Sequence, residues 1–151
     1  MKKIIIYLAA LVMVSASVIA QKKAPVKKPA AKPVSGSLAA SMANGKKVYV
    51  KYCLSCHMAD GGGVQNMNPP LTASPYVQGD KGHTITILLK GFSDGVEING
   101  QKYTNAMPPF NNLKDKEIAD VLTYVRSHFK NKAGAVKTAE VTAMRVQLNV
   151  K

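Results

Sequence analysis

The two cysteines of this chain stand three residues apart and are followed at once by a histidine, in Cys53-Leu54-Ser55-Cys56-His57. No other feature limits the fold as much. On a turn of helix, positions i and i+3 project from one face, so both thiols address a single object, with His57 beside them. Three readings compete with a prosthetic group. A disulfide closing so short a loop adds little stabilisation. A thioredoxin-like redox pair calls for a βαβ setting that this chain lacks. A zinc site needs a fourth ligand, and a second cysteine pair is missing.

The spacing C-x-x-C-H is also the signature of covalent c-type haem attachment. Two thiols on one helical face can bond the two vinyl groups of one porphyrin, and His57 is then placed to reach its iron. One covalently attached haem c, iron included, is therefore the expected cofactor. The sixth iron position has several candidates: Met58, Met67, Met107, Met144, His83 and His128. Met58 follows His57 directly and cannot reach around the ring, Met67 falls in the loop leaving the attachment helix, and Met144 lies in a weakly patterned tail. His128 closes the last helix, where a surface histidine complements the dipole. Met107 stands in Asn105-Ala106-Met107-Pro108-Pro109-Phe110, a segment stiffened by two prolines that fix their own φ and bias their predecessors to extended backbone. Met107 is the expected ligand and His83 the runner-up.

Residues 1–20 have Lys2 and Lys3, then an apolar run from Ile4 to Val14, then small residues ending at Ala20. This reads as a secretory signal, or, if uncleaved, as an N-terminal anchor. Export to the periplasm or an equivalent space is expected, soluble or tethered. Residues 21–37 are rich in Lys, Ala and Pro and carry Lys22, Lys23, Lys27, Lys28 and Lys32, an extended self-repelling linker. It could touch anionic lipid or an acidic partner, so membrane proximity through this end is possible. Although the formal net charge is +13, nucleic acid is not expected for an exported chain. What remains is one small domain of modest core, drawn over 38–131, with 132–151 a tail whose structure the pattern leaves undetermined.

Within the domain, Met42, Val48, Tyr49 and Tyr52 suggest an amphipathic helix from Ser41 into the cysteines. A second helix runs from about Thr84 to Lys90 and ends at Gly91. Val96 to Tyr103, with Asn99-Gly100 at its centre, reads as a hairpin. Asp115 to Phe129 is the clearest helix, with Ile118, Val121, Leu122, Val125 and Phe129 on one stripe.

From about Leu38 to Phe129 the chain resembles a class I monohaem cytochrome c, with haem motif, Pro-x-Leu loop, Met-Pro loop and terminal helices in family order. The resemblance implies an all-α fold, three to four helices around a covalent haem, here with a small hairpin insertion. It implies that Gly45 and Tyr49 on the first helix pack against Val121 and Tyr124 on the last. It implies further that, in Pro69-Pro70-Leu71, the Pro69 carbonyl accepts the histidine ring N–H and Leu71 lines the haem pocket. The insertion from Gly91 to Tyr103 is more like the cytochrome domains of larger periplasmic oxidoreductases or terminal oxidases. For the haem propionates, Tyr76, Gln101, Lys102 and Tyr103 are unranked candidates.

With His57 and Met107 both on the iron, no position is open to oxygen, and one-electron transfer follows. The expected function is an electron carrier, not an enzyme, between respiratory or periplasmic oxidoreductases. Its partners would be an oxidase, reductase or dehydrogenase, docked by an acidic surface on a basic rim formed by Lys46, Lys47, Lys51, Lys81, Lys90 and Lys102. The alternatives are an electron-transfer subunit of a larger dehydrogenase or oxidase, or a haem sensor or enzyme with an open distal site.

Overall fold

The computed structural model describes residues 37–151; the expected signal segment and all of the linker up to residue 36 lie outside them. Ser37 opens the first helix, its hydroxyl accepting the Ala40 N–H at 3.2 Å. That helix, α1, spans Leu38–Tyr52. It starts three residues before the sequence pattern does, because the cap and not the apolar stripe sets its beginning. A single turn, α2 (Leu54–His57), follows directly and carries the cysteine motif. After a long loop come α3 (Pro75–Gln78) and α4 (Lys81–Lys90), then the hairpin strands β1 (Val96–Ile98) and β2 (Gln101–Tyr103). Helices α5 (Asp115–Ser127) and α6 (Thr138–Gln147) complete the described chain. The described residues are mostly helical; two of the six helices among them are single turns, too short for a periodicity to reveal.

The hairpin has the expected register. Val96 faces Tyr103, Glu97 faces Lys102 and Ile98 faces Gln101, around Asn99 and Gly100 at φ 52° and 77°, the signature of a type I′ turn. Helix α4 also ends where expected, at Gly91, whose φ is 77°. A side chain at Gly91 would meet the Met107 carbonyl at 2.6 Å, so this glycine permits the two-residue bridge in which Phe92 and Met107 exchange backbone bonds of 2.9 and 2.8 Å. The proline-flanked segment is thereby tied to the end of α4.

The core is assembled on α5. Ile118, Val121, Leu122 and Val125 are all buried, as the stripe requires. Phe129 is buried as well, although the helix stops at Ser127; the chain reverses through Phe129 and Lys130, both at positive φ. Its ring packs on Tyr49 at 5.1 Å and on Tyr124 at 5.7 Å. Tyr49 and Tyr124 meet at 5.6 Å, as the resemblance implied. The close approach of α1 to α5 is made by Gly45, where a Cβ would lie 2.0 Å from the Asp120 carbonyl oxygen and 2.7 Å from Tyr124 Cβ. Val121, named above as a partner of that crossing, is buried in the same core cluster and also lines the cavity described below.

Gly45→Ala therefore cannot be absorbed by a flexible side chain, since the obstacle is backbone. It should destabilise the protein by roughly 3 kcal/mol, the upper end of overpacking, and appear as a fall in urea midpoint at unchanged m-value. An unchanged midpoint would show that the two helices separate freely.

The C-terminal stretch that its sequence left undetermined packs on α4 and α5 through α6. Val136 and Val141 are buried. Glu140 pairs with Lys81 at 3.0 Å, and Arg145 pairs with Asp115 at 2.7 Å while donating to the Asn111 and Leu113 carbonyls. Glu140 also accepts the Lys137 N–H at 2.7 Å, and that bond, more than the Lys81 charge, holds its carboxyl below the usual range. The anchors are long-range partners, which a scan for local periodicity does not register. Among the described residues, no helix is long and apolar enough to cross a membrane.

Candidate haem site

Helix α2, the loop to α3, the α4 end, the hairpin and α5 enclose a cavity of about 390 Å³ whose lining is mostly apolar. Cys53, Cys56, His57, Pro69, Leu71 and Met107 all line it, so the six residues nominated from sequence share one chamber although they are scattered over more than fifty positions. Met58 and Met67 are exposed and face elsewhere, and Met144 packs against the core near Gly82. His128 is exposed and stacked on Tyr124 at 4.6 Å. His83 is also exposed, but it stands on the cavity rim, its ring 5.8 Å from Tyr76.

His57 is buried, and its Nδ1 lies 3.0 Å from the Pro69 carbonyl oxygen. A carbonyl can only accept, so Nδ1 carries the proton and Nε2 keeps its lone pair. Burial pushes the imidazole below its ordinary value and outweighs the opposing bond to Pro69; the ring is neutral, the form a metal requires. The Pro69 carbonyl is itself held, because Leu71 donates to Gly61 at 2.8 Å and Asn131 donates to the Leu71 carbonyl at 2.8 Å.

Both cysteines are free thiols. Burial, with Cys56 adding a smaller effect, pushes Cys53 up to about 11, which removes the low-pKa thiolate a redox pair would need. Among the described residues no cluster of three or more His, Cys, Asp or Glu could hold a metal ion, which leaves no zinc set around His57.

A covalent haem fits this chamber on three counts. Its volume and apolar walls suit a large flat macrocycle, two unpaired thiols reach it from one helical turn, and a tautomer-locked histidine offers one nitrogen. Among the propionate candidates, Tyr76 and Tyr103 line the cavity, whereas Lys102 and Gln101 do not; the Gln101 amide is turned to the Asn66 side chain. One wall residue was missed from sequence altogether. Arg126 is 4% exposed, four residues after Leu122 on the buried face of α5, and a charge in that apolar stripe was the available signal.

The family model for cytochrome c matches residues 42–129, more than half of the chain. Cytochrome c-552 of Thermus thermophilus is 36% identical over 94 residues, covering 60% of this chain and 63% of the relative. Cytochrome c6 of Thermosynechococcus vestitus is 36% identical over 90 residues, 59% and 71% of the two chains. The cytochrome c subunit of a quinone alcohol dehydrogenase from Gluconacetobacter polyoxogenes is 36% identical over 103 residues, 67% of this chain but 22% of that subunit. The chain thus spans less than two thirds of the first of these relatives and a small part of the last.

Proposed function

The chain belongs to the cytochrome c family, and from that premise we propose that it is a one-electron carrier whose haem iron is held by His57 and Met107. The observation that carries this reading is the shared chamber: His57, with its free nitrogen defined by Pro69, stands in the wall of the same cavity as Met107 and both thiols. When bound, the haem supplies the one-electron Fe(III)/Fe(II) couple. The chain does the rest. The Pro69 carbonyl orients the imidazole and raises its basicity. The bridge between Met107 and Phe92 holds the thioether segment in place, and a soft sulfur favours the reduced metal. The apolar walls exclude water, which also disfavours the more charged oxidised state.

Electrons would leave and enter on the side where the Cys56 edge is exposed, passing between periplasmic or respiratory oxidoreductases after export; the protein itself is not an enzyme on this reading. A basic rim would guide acidic partners. Lys46, Lys47, Lys51, Lys90 and Lys102 are exposed, whereas Lys81 is engaged by Glu140 and is withdrawn from the rim. A second reading, a role beside or within a dehydrogenase, is favoured by the match to the alcohol dehydrogenase subunit, 36% identical over 103 residues.

The test is an absorption spectrum followed by kinetics. Purified holoprotein should show reversible one-electron reduction, the weak near-infrared band of thioether-bound ferric haem, and no rapid carbon monoxide binding. Its oxidation by an acidic redox protein should slow as salt rises, since screening acts over ~8 Å at physiological ionic strength. Rapid carbon monoxide uptake by the native protein would overturn the carrier reading. A rate indifferent to salt would remove the basic rim, and stable co-purification with a dehydrogenase would favour the second role.

A further inference from the structure

Arg126 is a buried cation without an anion. The residue lines the cavity and is 4% exposed. Nε donates to the Gly134 carbonyl at 2.9 Å, and Nη1 donates to the Val77 and Gly79 carbonyls at 2.6 and 3.0 Å. These bonds use three of the five N–H groups, and among the described residues Nη2 has no partner. Carbonyls satisfy donors but do not neutralise a charge. None of the ion pairs among the described residues includes Arg126. The two carboxylates that act on it from a distance are Asp80 and Glu140, and both are committed elsewhere. Asp80 caps α4 by accepting the His83 N–H at 2.8 Å, and Glu140 holds Lys81 and the Lys137 N–H.

Burying an unpaired charge is costly, and the stripe position after Leu122 would accept an apolar side chain. The haem read into this cavity brings carboxylates of its own, its propionates. We propose that Arg126 is the counter-cation of a haem propionate and thereby holds that carboxylate ionised inside the pocket. The proposal rests on the haem reading above. A planar fork with two free donors suits a carboxylate better than an ammonium does. The three carbonyl bonds pre-position the fork, so little ordering is needed when the carboxylate arrives.

The consequence is a potential that stays level with pH near neutrality. An ionised propionate favours ferric iron, so its ionisation lowers the potential. With Arg126 in place the carboxylate is ionised throughout; without it, burial raises the carboxyl into the neutral range, and the potential then falls as pH rises. The other groups around this corner are Tyr76 of α3, Asp80, Lys81 and His83 at the start of α4, Lys132 and Lys137 between α5 and α6, and Glu140 of α6. Of these, His83 places an imidazole on the rim of the same cavity, so the measurement is made in the His83→Gln background.

In that background, Arg126→Gln should keep its haem on a denaturing gel but acquire a potential that declines between about pH 5 and 8, and Arg126→Lys should restore most of the level profile. A haem-bearing Arg126→Gln protein whose profile matches His83→Gln alone overturns the proposal, whatever its stability. If Arg126→Gln does not fold, the reduced-minus-oxidised infrared spectrum of Arg126→Lys decides: carboxylate bands displaced from wild type support the pairing, and unchanged bands overturn it. A wild-type protein that carries no haem instead overturns the reading beneath.

Discussion

With Met107 replaced by alanine, the reduced protein should bind carbon monoxide stoichiometrically and fast, while its haem remains covalently attached. The expectation follows from the chamber, where Met107 is the methionine that faces His57's cavity and where Met58 and Met67 are exposed on the outside. Removing the thioether should also abolish the near-infrared band of the ferric protein. Met107→His should close the site again but at a lower potential, because imidazole lacks the soft sulfur that favours ferrous iron. The two substitutions are read together. If Met107→Ala leaves spectrum and carbon monoxide reactivity unchanged, another residue holds the iron, and His83 on the cavity rim is the one to replace next.

Cys53→Ala with Cys56→Ala should lose both the haem stain on a denaturing gel and most of the helical circular dichroism. The first loss tests attachment, since only a covalent bond survives denaturation. The second follows from magnitude. An apolar cavity of about 390 Å³, left unfilled, costs roughly 9 kcal/mol at ~24 cal/mol per Å³, and a small domain has only about 5 to 15 kcal/mol of net stability. Either single substitution leaves one thioether, so haem and fold should persist. A double variant that is haem-free yet fully helical would show that the chamber collapses on itself, and a wild-type gel without haem stain would sink the cytochrome reading.

The local chemistry of this protein was legible in its residues because it depends on neighbours along the chain. The cysteine and histidine spacing is a property of one turn, the hairpin of one Asn-Gly step, the α5 stripe of a 3.6-residue period, and the rigidity around Met107 of two adjacent prolines. Family order then aligned Pro69 and Leu71 with their neighbours in the chamber, where the Pro69 carbonyl meets His57 at 3.0 Å.

What the residue order could not express is what meets across distance. The single turn α3 has too few residues for any period to register. Helix α6 is weakly patterned because its hold comes from Lys81, Asp115 and two carbonyls far away in sequence, and only packing reveals that Lys81 is paired and so lost to the rim. Phe129 looked like the last residue of a helix but is buried by a reversal at positive φ, and it is this turn that stacks it on Tyr49. Arg126 went unnoticed near the end of α5, since burial is a property of the surroundings and not of the residue. A sequence states which groups can bond, through chemistry carried by each residue and its near neighbours. Only the tertiary structure decides which of them are left in a dry wall without a partner, because solvent exclusion is set by every segment that packs there.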